Sequence, residues 1–160
     1  VYTVSPFHTN ETFVELAKQL QEMGVHSICI KDMSGLLKPY VAEDLVRKLK
    51  AAVDLPIELH THYTSGFGSM TYLKAIEAGV DIIDCALSPL ANDTSQPCTE
   101  TMVATLEGTE RDTKLDRQAM DPIAKHFLQV KKDIMKEFNL FPETRLPVII
   151  TAPTAPQIPD

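Results

Sequence analysis

With 160 residues, 44% hydrophobic and 23% charged, the chain has the composition of a soluble globular domain of ordinary size. A formal charge of −7 without any Lys/Arg cluster excludes nucleic acid as a partner, because neutralising phosphates needs concentrated basic side chains. The longest purely apolar stretches are a few residues, so neither a signal peptide nor a membrane span is expected, and the cytoplasm is the predicted compartment.

A strand-like run covers residues 1–4, and the opening on Val1 rather than Met suggests a piece excised from a longer protein. Asn10 can cap a first helix, whose Phe13, Leu16, Ala17 and Leu20 share one face at helical spacing. A strand is predicted over 27–31. Pro39 can open the second helix, with Ala42, Leu45, Val46 and Leu49 as its buried stripe. A strand over 57–62, a helix over about 69–78 and a strand over 81–86 follow. A shorter helix over 101–106 precedes a polar stretch, 107–116. Then comes a long helix with Ile123, Phe127, Val130, Ile134 and Phe138 as its apolar seam. Beyond Asn139 the prolines at 142, 147, 153, 156 and 159 predict irregular structure, so residues 1–140 form one unit and 141–160 a tail.

Two segments echo each other. Residues 20–30 and 74–84 both run from a helix end through Gly24 or Gly79 to Val and a strand. Glycine at that point is the residue that ends a helix in the left-handed conformation. A third copy, 50–59, turns through Asp54-Leu-Pro56 instead. Repeated helix, tight turn and buried strand means βα units on a parallel sheet. An open doubly wound sheet would call for a glycine-rich phosphate turn, and no GxGxxG is present. The interval from Lys31 to His62 is one unit of a (β/α)8 barrel, a fold whose chemistry sits at the C-terminal ends of the strands. A whole barrel takes roughly 250 residues, so this α/β chain is expected to supply only part of one.

The polar residues fall at those strand ends. His60 and His62 close the third strand as His-Thr-His, and side chains at i and i+2 point to one face. Two convergent imidazoles make half a site for Zn²⁺ or a similar divalent ion; the alternative is a hydrogen-bonded structural or acid/base pair. His8, His26 and His126 read as structural or solvated. Lys31 ends the second strand in phase with Ser27 and Cys29, facing inward. A lysine there needs a partner: either an ion pair with Asp32, Asp84 or a neighbouring carboxylate, or conversion by carbon dioxide to a carbamate, an anionic oxygen ligand. Cys29, Cys85 and Cys98 show no CxxC spacing and read as reduced thiols, the first two as small buried hydrophobes.

Lys31-Asp-Met-Ser-Gly-Leu-Leu-Lys-Pro39, His60-Thr-His-Tyr-Thr-Ser-Gly66 and Thr94-Ser-Gln-Pro97 together resemble the biotin-dependent carboxyltransferases, the oxaloacetate decarboxylase α subunit and the pyruvate carboxylase transferase domain. Tyr2-Thr-Val-Ser-Pro-Phe-His8 is similar to the fifth strand of that barrel, which makes residues 1–140 the C-terminal half, about strands 5–8. Ser88-Pro-Leu-Ala and residues 99–106 are nearer the decarboxylase form. The resemblance implies that Lys31 is a carbamylated metal ligand, that His60 and His62 bind the same ion (zinc, or manganese or cobalt), and that Thr94 relays a proton between the substrate methyl group and biotin. Thr94 as a plain turn residue is the alternative. The implied reaction moves a carboxyl group between biotin and pyruvate or oxaloacetate. Its implied partners are a keto acid, a biotin carrier domain outside this chain, further copies of the same polypeptide and the other components of a membrane decarboxylase pump.

Some family features are not found. The aspartate ligand of the first strand and the arginine that clamps the substrate carboxylate belong to the N-terminal half. Asn92-Asp93 stands where relatives carry a small or glycine-containing pair, and no Met-Lys-Met biotinylation motif occurs. The 160 residues alone are therefore expected to be a poor enzyme. Two rival readings are an aldol-type acyl-CoA lyase or synthase, which shares the histidine pair but not the lysine, and a non-catalytic barrel fragment.

Overall fold

The structure is a computed structural model that describes residue 5 and residues 7–140; the strand expected over 1–4 and the proline-rich tail lie outside the described residues. The elements run α1 (Asn10–Glu22), β1 (Ile28–Asp32), α2 (Pro39–Ala52), β2 (Ile57–Thr61), α3 (Gly68–Glu77), β3 (Ile82–Ile83), a 3-10 turn at Ser88–Leu90, α4 (Thr99–Leu106) and α5 (Arg117–Glu137).

Capping differs from expectation at α1. Thr9, not Asn10, is the N-cap, its side chain accepting from the Thr12 N–H. Asn10 is the first helical residue and ties α1 to α2, donating from Nδ2 to Asp44 Oδ2 at 2.7 Å and to the Val41 carbonyl at 3.3 Å. Pro39 does open α2, where the missing N–H costs nothing. The echo between 20–30 and 74–84 is a repeat in three dimensions. Gly24 (φ 86°) and Gly79 (φ 100°) are both left-handed, and each is followed by the same closing bond, Val25 N–H to Leu20 O and Val80 N–H to Ala75 O.

The strands form one parallel sheet in the order β1-β2-β3. β1 and β2 pair in register from Ile28↔Ile57 to Asp32↔Thr61, and β2 meets β3 at Glu58↔Ile82 and Leu59↔Ile83. β3 is much shorter than the run expected over 81–86. Ala86 leaves the sheet to make a parallel bridge with Cys98, so the chain that would have lengthened β3 supports the segment before α4 instead.

One sheet face is dry. Ile30, Ile57 and Leu59 pack with Leu45, Val46 and Leu49 of α2 and with Tyr72, Ala75 and Ile76 of α3. Burying each large side chain of this kind contributes roughly 1.5–3 kcal/mol. The opposite face carries Cys29, Lys31, Glu58, His60 and His62, the alternation that period 2 requires. Two expectations fail here. Cys29 is exposed and Cys85 half-buried, leaving only Cys98 buried. The α5 seam keeps its spacing, but no α5 side chain is buried, and Ile123 and Ile134 stay 47% and 46% exposed. Helical periodicity reports which face is apolar, not whether a partner covers it. Among the described residues, no helix is long and apolar enough to cross a membrane.

Candidate metal centre

The site lies at the C-terminal end of β2. Thr61 turns toward the helices and is buried, so its neighbours His60 and His62 emerge together on the other face. Their rings meet edge to face with centroids 5.2 Å apart. The two Nε2 atoms stand 3.3 Å from each other.

The other ring nitrogens explain what that approach means. His60 Nδ1 lies 2.7 Å from Asp84 Oδ2, and His62 Nδ1 lies 2.6 Å from the Thr94 carbonyl. A carboxylate and a carbonyl can only accept, so each Nδ1 carries the proton and donates. In the neutral ring the remaining nitrogen is then bare. Two ring nitrogens facing each other at 3.3 Å need either a shared proton or a metal ion between them. Two nitrogens held at about 2.1 Å from one ion at the tetrahedral angle would be roughly 3.4 Å apart, close to the spacing found. Orientation of each ligand ring through its far nitrogen is also how metal-binding histidines are generally held. The donor chemistry therefore fits a divalent ion. Among the described residues, no group of three or more His, Cys, Asp or Glu side chains gathers to hold a metal, so any further donor must be of another kind or come from elsewhere.

Lys31 is a candidate of another kind: its Cα is the register partner of His60, and it faces the same side of the sheet. The two carboxylates that its position suggests as ion-pair partners are turned to other work. Strand alternation is the reason for the first. Asp32 points to the helix side, 1% exposed, where it accepts from Leu37 N–H at 2.9 Å, Leu36 N–H at 3.4 Å and Thr61 Oγ1 at 2.7 Å. Asp84 is engaged by His60. Thr94 reaches the site through its backbone carbonyl, and its side chain is exposed.

The three sequence motifs are stitched into one rim. Thr64 Oγ1 donates to the Ser34 carbonyl at 2.5 Å, Ser65 Oγ to the Gly35 carbonyl, Thr71 Oγ1 to Leu37 O at 2.8 Å, and Tyr63 N–H to Ser95 O at 2.8 Å. Gly35 (φ 64°) is required where these loops cross, because a Cβ there would stand 2.6 Å from Thr64 Oγ1. Asn92 (φ 68°) and Asp93 (φ 50°) are consecutive left-handed residues, a conformation that Asn and Asp tolerate better than most side chains.

Sequence reasoning missed Asp84 as the orienter of His60, Gln96, whose amide nitrogen is 3.5 Å from His60 Nε2, and Tyr72. Asp84 had a readable signal: it is in phase with Ile82, which pairs with Glu58 on the histidine side. Burial pushes the Tyr72 phenol up, and the hydroxyl stays protonated.

With this geometry in place, the comparisons with known proteins decide the family. The HMGL-like pattern matches residues 6–126. The chain belongs to the HMGL-like family. This HMGL-like chain is 55% identical to a pyruvate carboxylase polypeptide of Methanocaldococcus jannaschii over 138 residues, which is 86% of the chain and 24% of that protein. It is 46% identical to Staphylococcus aureus pyruvate carboxylase over 79% of its own length and 11% of the relative's. Among solved structures, the carboxyl transferase domain of Rhizobium etli pyruvate carboxylase superposes with a TM-score of 0.77 at 43% identity, covering 79% of this chain and 21% of that one. The chain thus spans about a quarter or less of these relatives, a fragment of the (β/α)8 carboxyltransferase barrel.

Proposed function

We propose that the protein containing this chain moves a carboxyl group between biotin, carried on a separate domain, and pyruvate or oxaloacetate, at a divalent metal site. The observation that carries the metal reading is the pair of Nε2 atoms 3.3 Å apart, each ring held by an acceptor on its Nδ1. The relatives named as pyruvate carboxylases support the reaction.

His60, His62 and a carbamylated Lys31 would hold the ion, zinc being the first expectation. Bound there, it supplies Lewis-acid polarisation of the keto oxygen. The chain's own residues do the rest. Asp84 and the Thr94 carbonyl keep both imidazoles pointed at one place. The Thr94 hydroxyl moves one proton: when oxaloacetate gives its carboxyl group to biotin, the biotin nitrogen loses a proton and the pyruvate methyl carbon gains one. In the reverse direction the same proton returns. Free Cys29, Cys85 and Cys98 support a cytoplasmic setting.

The test uses the whole protein, with metal content measured alongside biotin-dependent exchange of carboxyl between oxaloacetate and pyruvate. Exchange that disappears with the metal and in Lys31→Met is expected. Condensation dependent on an acyl-CoA, with no biotin-linked exchange, would overturn the proposal.

A further inference from the structure

Parallel strands are joined by evenly spaced rungs, each residue of one strand serving two on its neighbour. Between β2 and the chain through β3, the Asp81 N–H donates to Ile57 O at 2.9 Å and the Asp84 N–H to Leu59 O at 3.2 Å. The next rung in that series would run from the Thr61 N–H to the Asp84 carbonyl. It is not made directly. The hydroxyl of Tyr72, a fully buried side chain on α3, accepts from the Thr61 N–H at 3.1 Å and donates to the Asp84 carbonyl at 2.6 Å. One oxygen atom from the helix layer is inserted into the ladder between the two strand ends.

The two residues it joins flank the site. Thr61 lies between His60 and His62, and the Asp84 side chain is the 2.7 Å partner of His60 Nδ1. Removing the hydroxyl leaves either two buried backbone groups unpaired or a ladder that closes and draws Asp84 toward β2. The first frees and the second moves the backbone that carries the carboxylate orienting His60.

We propose that Tyr72 is a positioning residue for the histidine pair: its hydroxyl, inserted as a rung between the β2 and β3 chains, fixes where Asp84 holds His60 against His62. The assignment rests on the metal reading above for its functional meaning, but its geometry can be tested without metal.

The experiment compares the whole protein with Tyr72→Phe and Tyr72→Met, using Co²⁺ as the probe. The circular dichroism of the parent is retained. Co²⁺ affinity falls about tenfold or more, the range for residues that orient metal ligands, and the visible absorption of bound Co²⁺ changes. Without metal, imidazole nitrogen resonances show His60 and His62 each protonated on Nδ1 in the parent, with a mixture of tautomers at His60 in the variants. Ile76→Val, a buried change on the same helix, lowers the melting temperature and alters neither readout. Unchanged affinity, spectrum and tautomers in Tyr72→Phe overturn the proposal; a water taking over the rung would give that result. If the parent binds no Co²⁺, the metal reading falls and the tautomer comparison alone judges Tyr72. Should neither variant fold, a high-resolution structure of the parent decides, and a direct Thr61 N–H to Asp84 bond would refute the inserted rung.

Discussion

Asp84 holds His60 by Nδ1 at 2.7 Å, leaving Nε2 to face His62 Nε2 at 3.3 Å. The carboxylate, more than the imidazole, thus determines which nitrogen is presented at the site. Because Asp84 sits just past the two-residue β3 and His60 near the end of β2, the alignment depends on how these strands meet.

Asp84→Asn is expected to weaken metal binding by about 10–100-fold, since an amide oxygen orients the ring without the charge that raises its basicity. Calorimetric titration with Zn²⁺ checks this. Equal affinities in parent and variant would show that His60 is oriented by something else.

Stripping the metal is expected to lower the stability of the whole protein, and Zn²⁺ at about 100 times its Kd restores roughly 2.7 kcal/mol. His60→Ala and His62→Ala should each abolish the zinc-dependent part, because either change removes one of only two nitrogen donors at the end of β2. Thermal melts with and without zinc separate this from any general loss of stability, which would appear equally in both.

Asp32→Ala is expected to be among the most damaging substitutions. It deprives Leu36 N–H and Leu37 N–H of their buried acceptor and Thr61 Oγ1 of its shorter bond, and each unsatisfied group costs about 1–3 kcal/mol. A loss of about 3 kcal/mol or more in urea unfolding is the anticipated result. Asp32→Asn, which keeps one accepting oxygen, should lose less. A loss under about 1 kcal/mol for the alanine variant would mean that water replaces the carboxylate.

Cys85 is pushed up to about 12 from an ordinary 9.0, by burial first and then by the nearby Asp84 charge. It should resist alkylation by iodoacetamide at pH 9 in the native protein and react once the protein is unfolded. The folded state binds this proton more tightly than the unfolded state. The associated stabilisation is therefore complete below about pH 9 and lost as pH rises toward about 12. Mass spectrometry of alkylated peptides checks the first point, and rapid native labelling at pH 9 would contradict it.

Much of the fold and the centre of the site could be read in sequence because they depend on local rules. Period 2 placed His60 and His62 on one face of a strand, and Gly24 and Gly79 marked two helix ends that close in the same way. Helical spacing found the buried stripe of α2 because those four residues share one face of the helix and are buried together. The motifs at 31–39, 60–66 and 94–97 pointed to the family for the same reason: each is a short contiguous string. Only the tertiary structure decided the relationships between strings. Adjacency in sequence offers Asp32 as a partner for Lys31, yet it serves the β1–α2 loop and Thr61, since adjacent strand residues face opposite sides. The bonds from His60 to Asp84, from His62 to the Thr94 carbonyl, and from Tyr72 to Thr61 and Asp84 join residues 24, 32, 11 and 12 positions apart. Periodicity describes which way a side chain leaves its own backbone. Which acceptor it meets there depends on how neighbouring units stack, and with it which nitrogen of each histidine is free.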